Sequence, residues 1–254
     1  MVKLALETPY WLMNLQSLAD FDFILAHKVL QDKNYAGWYK RSGRYKILDN
    51  STNEKYEPMP WDKLIEAANI VGAGTIVAPD WLGDAEKTYS ECQRLSKSTT
   101  CLLLPVLQGS SVTECIEYSK KYRKLGFTNI AIPYDICHSK GDYLQDMADS
   151  RFSVVKSLVD FKVHLLGMNT VEELTRYNSS HSIVSIDTGS PILNGLDFRR
   201  FGKDILLPKG TPTLNWIEST YREELKEDPL RDKRVGTVYY NIAFLRRLLN
   251  GIGS

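Results

Sequence analysis

The stretches Thr75-Ile76-Val77-Ala78-Pro79-Asp80 and Ser182-Ile183-Val184-Ser185-Ile186-Asp187 decide the fold, and Tyr45-Lys46-Ile47-Leu48-Asp49 repeats their pattern. Each is a short apolar run that ends in an aspartate. A fourth run, Cys101 to Leu107, ends in Gln108. Continuous Val/Ile/Leu runs of this length read as parallel strands covered on both faces, and α/β barrels carry their functional side chains at strand C-termini. Asp49, Asp80, Asp187 and Gln108 are therefore expected to share one polar pocket. The alternative for each aspartate is a plain cap on the helix or turn that follows.

Outward from these runs, the apolar segments are Val2–Glu7, Phe21–Leu30, Tyr45–Asp49, Thr75–Asp80, Cys101–Gln108, Asn129–Tyr134, Lys162–Met168 and Ser182–Thr188. Helical signals separate most of the later ones. Leu64, Ala67, Ala68 and Val71 recur at helical spacing within Pro60 to Val71, and Asp84 is placed to cap Ala85–Lys97 with Tyr89, Cys92 and Leu95 inward. Val112–Leu125 ends at Gly126, a helix-terminating glycine, and Thr170-Val171-Glu172-Glu173 is a capping box. Eight strands alternating with helices predict an α/β fold closed as a (β/α)8 TIM barrel over residues 1–204. Residues 8–20 and 31–44 read as weaker helices or loops. After Pro191 the alternation stops, and Trp216–Lys226 and Val238–Leu249 predict a helical C-terminal extension, 205–254, packed on the barrel.

The chain has 254 residues with 32 basic and 31 acidic side chains, so net charge points to no class of partner. No run approaches the roughly 20 apolar residues of a membrane span, and Met1 to Leu6 reads as a first strand rather than a leader, so a soluble, cytoplasmic protein is expected. The four cysteines, 92, 101, 115 and 137, show no Cys-x-x-Cys spacing and are expected as free thiols, with Cys92 and Cys115 on apolar helix faces. Cys137-His138 does not read as a nucleophile and base, because neighbours in an extended segment point apart. His27, His164 and His181 lack the spacing of a zinc site, and no metal is expected.

The segment Asn34 to Lys46 interleaves aromatic and basic residues, Trp38, Lys40, Arg41 and Arg44 among them, a mixture that stacks on bases while meeting phosphates. Arg199, Arg200, Lys203 and Lys209 form a second basic group downstream of Asp187. Both follow strands, so both are expected on the face that carries the aspartates. The plain alternative is solvated surface.

The ordered set Leu48-Asp49-Asn50-Ser51, Ala78-Pro79-Asp80, Pro105-Val106-Leu107-Gln108-Gly109, His164-Leu165-Leu166-Gly167 and Ser185-Ile186-Asp187-Thr188 resembles the tRNA-guanine transglycosylase superfamily. It is most similar to the phage-type DNA 7-deazaguanine transglycosylase branch, over roughly residues 1–200. The resemblance implies a barrel enzyme without cofactor that removes guanine from its sugar and installs a 7-deazaguanine. It implies Asp187 as nucleophile, Asp49 as the second carboxylate, and Asp80, Gln108, Gly167 and Met168 as base-binding positions. A phage protein would act in the host cytoplasm.

The chemistry fits those roles. Exchange at C1′ with retained configuration needs a covalent glycosyl intermediate on a carboxylate and a second carboxylate to manage the proton of the base. Asp80 is suited to accept from guanine N1–H and the 2-amino group, and the Gln108 amide and Gly167 N–H to donate to O6. Two departures stand out. The Cys-x-Cys-x-x-Cys plus His zinc module of the tRNA-acting members is missing after Cys137, which favours DNA over tRNA as the polymer. Asp49-Asn50-Ser51-Thr52-Asn53 also lacks the aromatic residue that follows the family's Asp-Ser-Gly-Gly segment, leaving Tyr10, Trp11 or Trp81 as stacking partners. Two further readings stay open: a non-catalytic nucleic-acid-binding partner with the same barrel, and an unrelated barrel enzyme holding Mg²⁺ through Asp49, Asp80 and Asp187.

Overall fold

The computed structural model describes residues 1–55, 57–137, 144–168, 170–177, 182–204 and 230–252. His138, His181, Lys209 and the expected helix at Trp216–Lys226 lie outside them. The eight expected strands are present as β1 (Lys3–Leu6), β2 (Asp22–Leu25), β3 (Lys46–Asp49), β4 (Thr75–Val77), β5 (Leu102–Leu104), β6 (Asn129–Pro133), β7 (Lys162–Leu166) and β8 (Ile183–Thr188). They form two four-stranded sheets, ordered β1-β8-β7-β6 and β2-β3-β4-β5, in which every pair is parallel. Backbone contacts also run between the sheets. Asp20 N donates to Leu4 O at 2.7 Å ahead of β2, and Val106, beyond β5, bridges Ala131 of β6.

Period-two alternation sorts the strand side chains. Ala5, Phe23, Ile47, Val77, Leu104 and Ala131 form one small cluster drawn from six strands, with Leu166 of β7 against it. Their neighbours Leu4, Leu6, Ile130, Ile132, Val163, Leu165 and Ile186 point the other way, into the largest core. There they meet helices α5 (Ala85–Ser96), α6 (Val112–Lys124), α7 (Leu144–Ser157), α8 (Val171–Thr175) and α9 (Ser190–Leu196). On the other sheet, Ile24, Leu48 and Ile76 pack with α1 (Ala26–Gln31), α2 (Lys33–Arg41) and α4 (Trp61–Val71), following the short α3 (Thr52–Lys55).

The caps follow the sequence. Asp84, Ser111 and Thr170 accept from the first-turn amides of α5, α6 and α8, and Gly72 and Gly126 take the left-handed conformation after α4 and α6. All eight strands are shorter than their apolar runs, two of them by more than half. Phe21–Leu30 leaves the sheet at Leu25, because Ala26, His27 and Val29 have a helical layer to pack into and the Ser51 hydroxyl accepts from His27 N at 3.3 Å. Cys101–Gln108 pairs with β4 only to Leu104; beyond it the segment turns to β6, where Pro105 O accepts from Ala131 N at 2.8 Å and Leu107 N donates to Ala131 O at 2.9 Å. Residues 31–44 hold a real helix, α2, capped by Asp32 at 2.8 Å from Asn34 N.

The expected Val238–Leu249 helix is longer, α10 (Arg231–Gly251). It crosses α9 so closely that a Cβ on Gly195 would lie 2.6 Å from Val238 Cα. Asn241 accepts from Phe201 N at 2.8 Å, and Arg246 pairs with Asp20 at 3.0 Å. No helix among the described residues is long and apolar enough to cross a membrane.

Candidate active site

Asp49 is the last residue of β3, Asp187 the fifth of six in β8, and Asp80 follows β4 by three positions. Parallel strands carry all three to the same end, where they line one cavity of about 70 Å³ with Gly167. Glu7 and Asp135 add two further carboxylates, Phe23 and Tyr134 supply aromatic surface, and no lysine or arginine lines it among the described residues. The volume is well below the roughly 300–1,000 Å³ of small-molecule pockets. The exposed Leu82 forms part of the wall, so widening costs little core packing.

The carboxylates are held differently. Asp187, buried, accepts at Oδ1 from His164 Nε2 at 3.0 Å and from Gly167 N at 3.1 Å. Both donors come from the β7 side of the site rather than from the following turn, so Asp187 is no helix cap. Asp80 accepts from Asn50 Nδ2 at 2.7 Å and from Gln108 Nε2 at 2.5 Å. Its pKa is raised above the ordinary 3.8 because burial penalises the charge; the amide and Thr52 hydrogen bonds oppose this, and nearby Asp135 adds to it. Asp49, half-buried, does close a turn: its Oδ2 accepts at 2.8 Å from Ser51 N, whose φ of 61° places Ser51 in the left-handed region.

Several expected roles change. The Gly167 N–H and the Gln108 amide, expected at a guanine O6, are engaged by Asp187 and Asp80, because carboxylates in a cavity without cations recruit the nearest N–H donors. Gln108 lies behind Asp80, with its Oε1 accepting from Gly83 N at 3.2 Å, and does not line the cavity. Met168 is fully buried in the main core and does not line the cavity. Gly167 has a φ of 67°, so the glycine is required by the backbone. Tyr10, Trp11 and Trp81 do not line the cavity; Phe23 and Tyr134 do.

The basic groups are also placed elsewhere. Arg44 precedes β3 and pairs at 2.6 Å with Asp22, the first residue of β2, so it lies at the strand N-termini, opposite the carboxylates. Lys40 and Arg41 end α2 on that side, where Arg41 and Arg44 share a surface hollow with Trp38. The expectation of one shared rim fails because α2 spends the connection returning to the far end of the sheet. Arg199 pairs with Asp197, Arg200 lies 3.5 Å from Asp204, and Lys203 sits over Tyr240 of α10; none lines the cavity. Replacing the exposed Lys40 and Arg41 by Gln is therefore expected to change stability by no more than about 0.5 kcal/mol. Arg44→Gln instead lowers stability by about 1–3 kcal/mol in a urea titration, since it strips the fully buried Asp22 of its cation.

Sequence reasoning passed over His164, Asn50 and Arg151. His164 breaks the apolar run of β7 and stands in register opposite Ser185 of β8, a polar pair in the middle of the two strands. Asn50 links Asp80 to the β3 turn, donating also to Ala78 O at 2.7 Å. Arg151 of α7, fully buried, donates to Ile132 O, Leu166 O and Gly167 O at 2.6, 3.1 and 2.9 Å and so anchors the loop that supplies Gly167. The four cysteines are free thiols, with Cys115 Sγ 3.5 Å from Cys137 Sγ. Among the described residues no three His, Cys, Asp or Glu side chains are arranged to hold a metal ion.

The buried amides make Asp80 testable. Since its folded pKa exceeds the unfolded value, the folded chain binds more protons above pH 3.8, and this carboxyl's contribution to stability falls as pH rises through that window. Asp80→Asn turns an amide toward two amide donors and is expected to cost about 1–3 kcal/mol at low pH. The gap to wild type should narrow as pH rises. Urea titrations at two pH values read it, and a gap that widens with pH would contradict the burial account.

No protein-family model and no curated protein matches the chain.

Proposed function

We propose that the chain is a guanine/7-deazaguanine transglycosylase acting on a polynucleotide, with DNA favoured, built on a closed (β/α)8 barrel. The closure is supported by the backbone contacts at both seams between the sheets and by the small cluster shared by strands of both. The observation that carries the function is the cluster of Asp49, Asp80 and Asp187 in one acidic cavity at the strand C-termini. Carboxylates without cations suit a reaction whose transition state gathers positive charge at C1′, and they suit a base edge rich in donors.

In this reading Asp187 attacks C1′ as the C1′–N bond breaks, and the bonding pair leaves with guanine, which takes a proton from Asp49. The incoming 7-deazaguanine then returns a proton to Asp49 as its nitrogen displaces the Asp187 carboxylate, so the enzyme ends as it began. Asp80 accepts from the donor edge of the base, while Asn50 and Gln108 hold it in place. Phe23 or Tyr134 offers the apolar face. Phosphates stay outside the acidic cavity. Incubation with guanine-labelled DNA and, separately, labelled tRNA tests the reading. Label should leave DNA when a 7-deazaguanine base is added, and retention of label in both polymers would overturn it.

A further inference from the structure

His164 occupies a position that zinc-site spacing does not describe. Its ring is 2% exposed and stacked on Phe23, with centroids 5.4 Å apart and planes 25° from parallel, and Phe21 meets it edge-on. Nδ1 lies 2.8 Å from Ser185 Oγ and Nε2 lies 3.0 Å from Asp187 Oδ1. A carboxylate only accepts, so Nε2 carries a hydrogen in that contact, and the Ser185 hydroxyl, which both donates and accepts, holds the ring at Nδ1. Gly167 N reaches the same oxygen.

We infer that His164, held in place by Ser185, is a positioning residue for the nucleophile. It and Gly167 N hold the carboxylate at Oδ1 and so fix its orientation toward C1′. The inference rests on the transglycosylase reading and adds to it the residue that orients Asp187. Phe21 and Phe23 prevent the ring from turning away, Ser185 holds it at Nδ1, and Asp187 excludes a bare Nε2, which would set two acceptors face to face. His164 transfers no proton in either half of the exchange.

The test compares guanine release from labelled DNA by wild type, His164→Leu, His164→Gln and Ser185→Ala, each checked for folding by circular dichroism. His164→Leu is expected to lower kcat about 100-fold, as when a single preorganised donor is lost, with KM little changed. It should also move the acid limb of the kcat profile to higher pH, because a carboxylate that loses a donor holds its proton more tightly. His164→Gln keeps a side-chain N–H and should recover activity to within about tenfold of wild type. Ser185→Ala should fall between the two. If His164→Leu does not fold, His164→Asn takes its place, being too short to reach Asp187, and should show the same loss and the same shift.

Wild-type kcat and an unmoved acid limb in His164→Leu or His164→Asn, with wild type active, would overturn this inference and leave the transglycosylase reading intact. A loss that Gln does not rescue, with no shift of the limb, would show His164 as packing only and overturn it likewise. A wild-type protein that releases no guanine from DNA or tRNA would remove the reading and the inference together.

Discussion

Asp187→Asn is expected to stop base exchange, lowering kcat by about four orders of magnitude or more while the protein remains folded. The substitution keeps the shape of the side chain, and its remaining oxygen is able to accept from His164 Nε2 and Gly167 N as Asp187 Oδ1 does. What disappears is the anion that forms the bond to C1′. Stability in urea should stay within about 1–2 kcal/mol of wild type, so the loss is chemical rather than structural. Single-turnover release of labelled guanine reads the effect. Activity close to wild type would remove Asp187 from the mechanism.

Arg151→Met is expected to have the largest effect on the fold. The guanidinium is fully buried beneath the ends of β6 and β7, where it donates to three backbone carbonyls and lies 3.5 Å from Glu173 Oε1. Met replaces the stem but none of the donors, leaving three buried carbonyls and a buried carboxylate short of their partner, a loss of about 3–5 kcal/mol. Tyr177 still donates to Glu173 at 3.0 Å, which softens the cost at the carboxylate alone. Adding Glu173→Gln to Arg151→Met should recover part of the stability by neutralising the uncompensated charge. A single variant as stable as wild type in urea would show that the carbonyls find other donors. Because Gly167 O is one of the three, the folded fraction should also exchange base more slowly.

The later strands were legible because their apolar runs are separated by helices, three of them capped, by Asp84, Ser111 and Thr170. Asp49, Asp80 and Asp187 were legible as a set for the same reason, since parallel strands deliver their ends to one side. Hydrogen-bond partners were not. Whether Gly167 N meets a ligand or Asp187 depends on a left-handed backbone turn and on the distance between two strand ends, neither of which is written in the local pattern. Met168 looked like its neighbour Gly167 but points into the core. Lys40, Arg41 and Arg44 follow β2 in sequence, yet α2 carries them to the far end of the sheet, so order along the chain misplaced them in space. His164 could have been found from the register, because its partner Ser185 is the other polar residue in the middle of the paired strands.

The central claim is that Asp187 becomes covalently linked to C1′ of a nucleotide during base exchange. Rapid quenching of the protein with guanine-containing DNA, before any 7-deazaguanine is added, followed by digestion and mass spectrometry, tests it most directly. A nucleotide adduct on the peptide containing Asp187, lost in Asp187→Asn and discharged when the 7-deazaguanine base is supplied, is the predicted result. Base exchange that proceeds with no adduct, or with the adduct on another residue, would contradict the account.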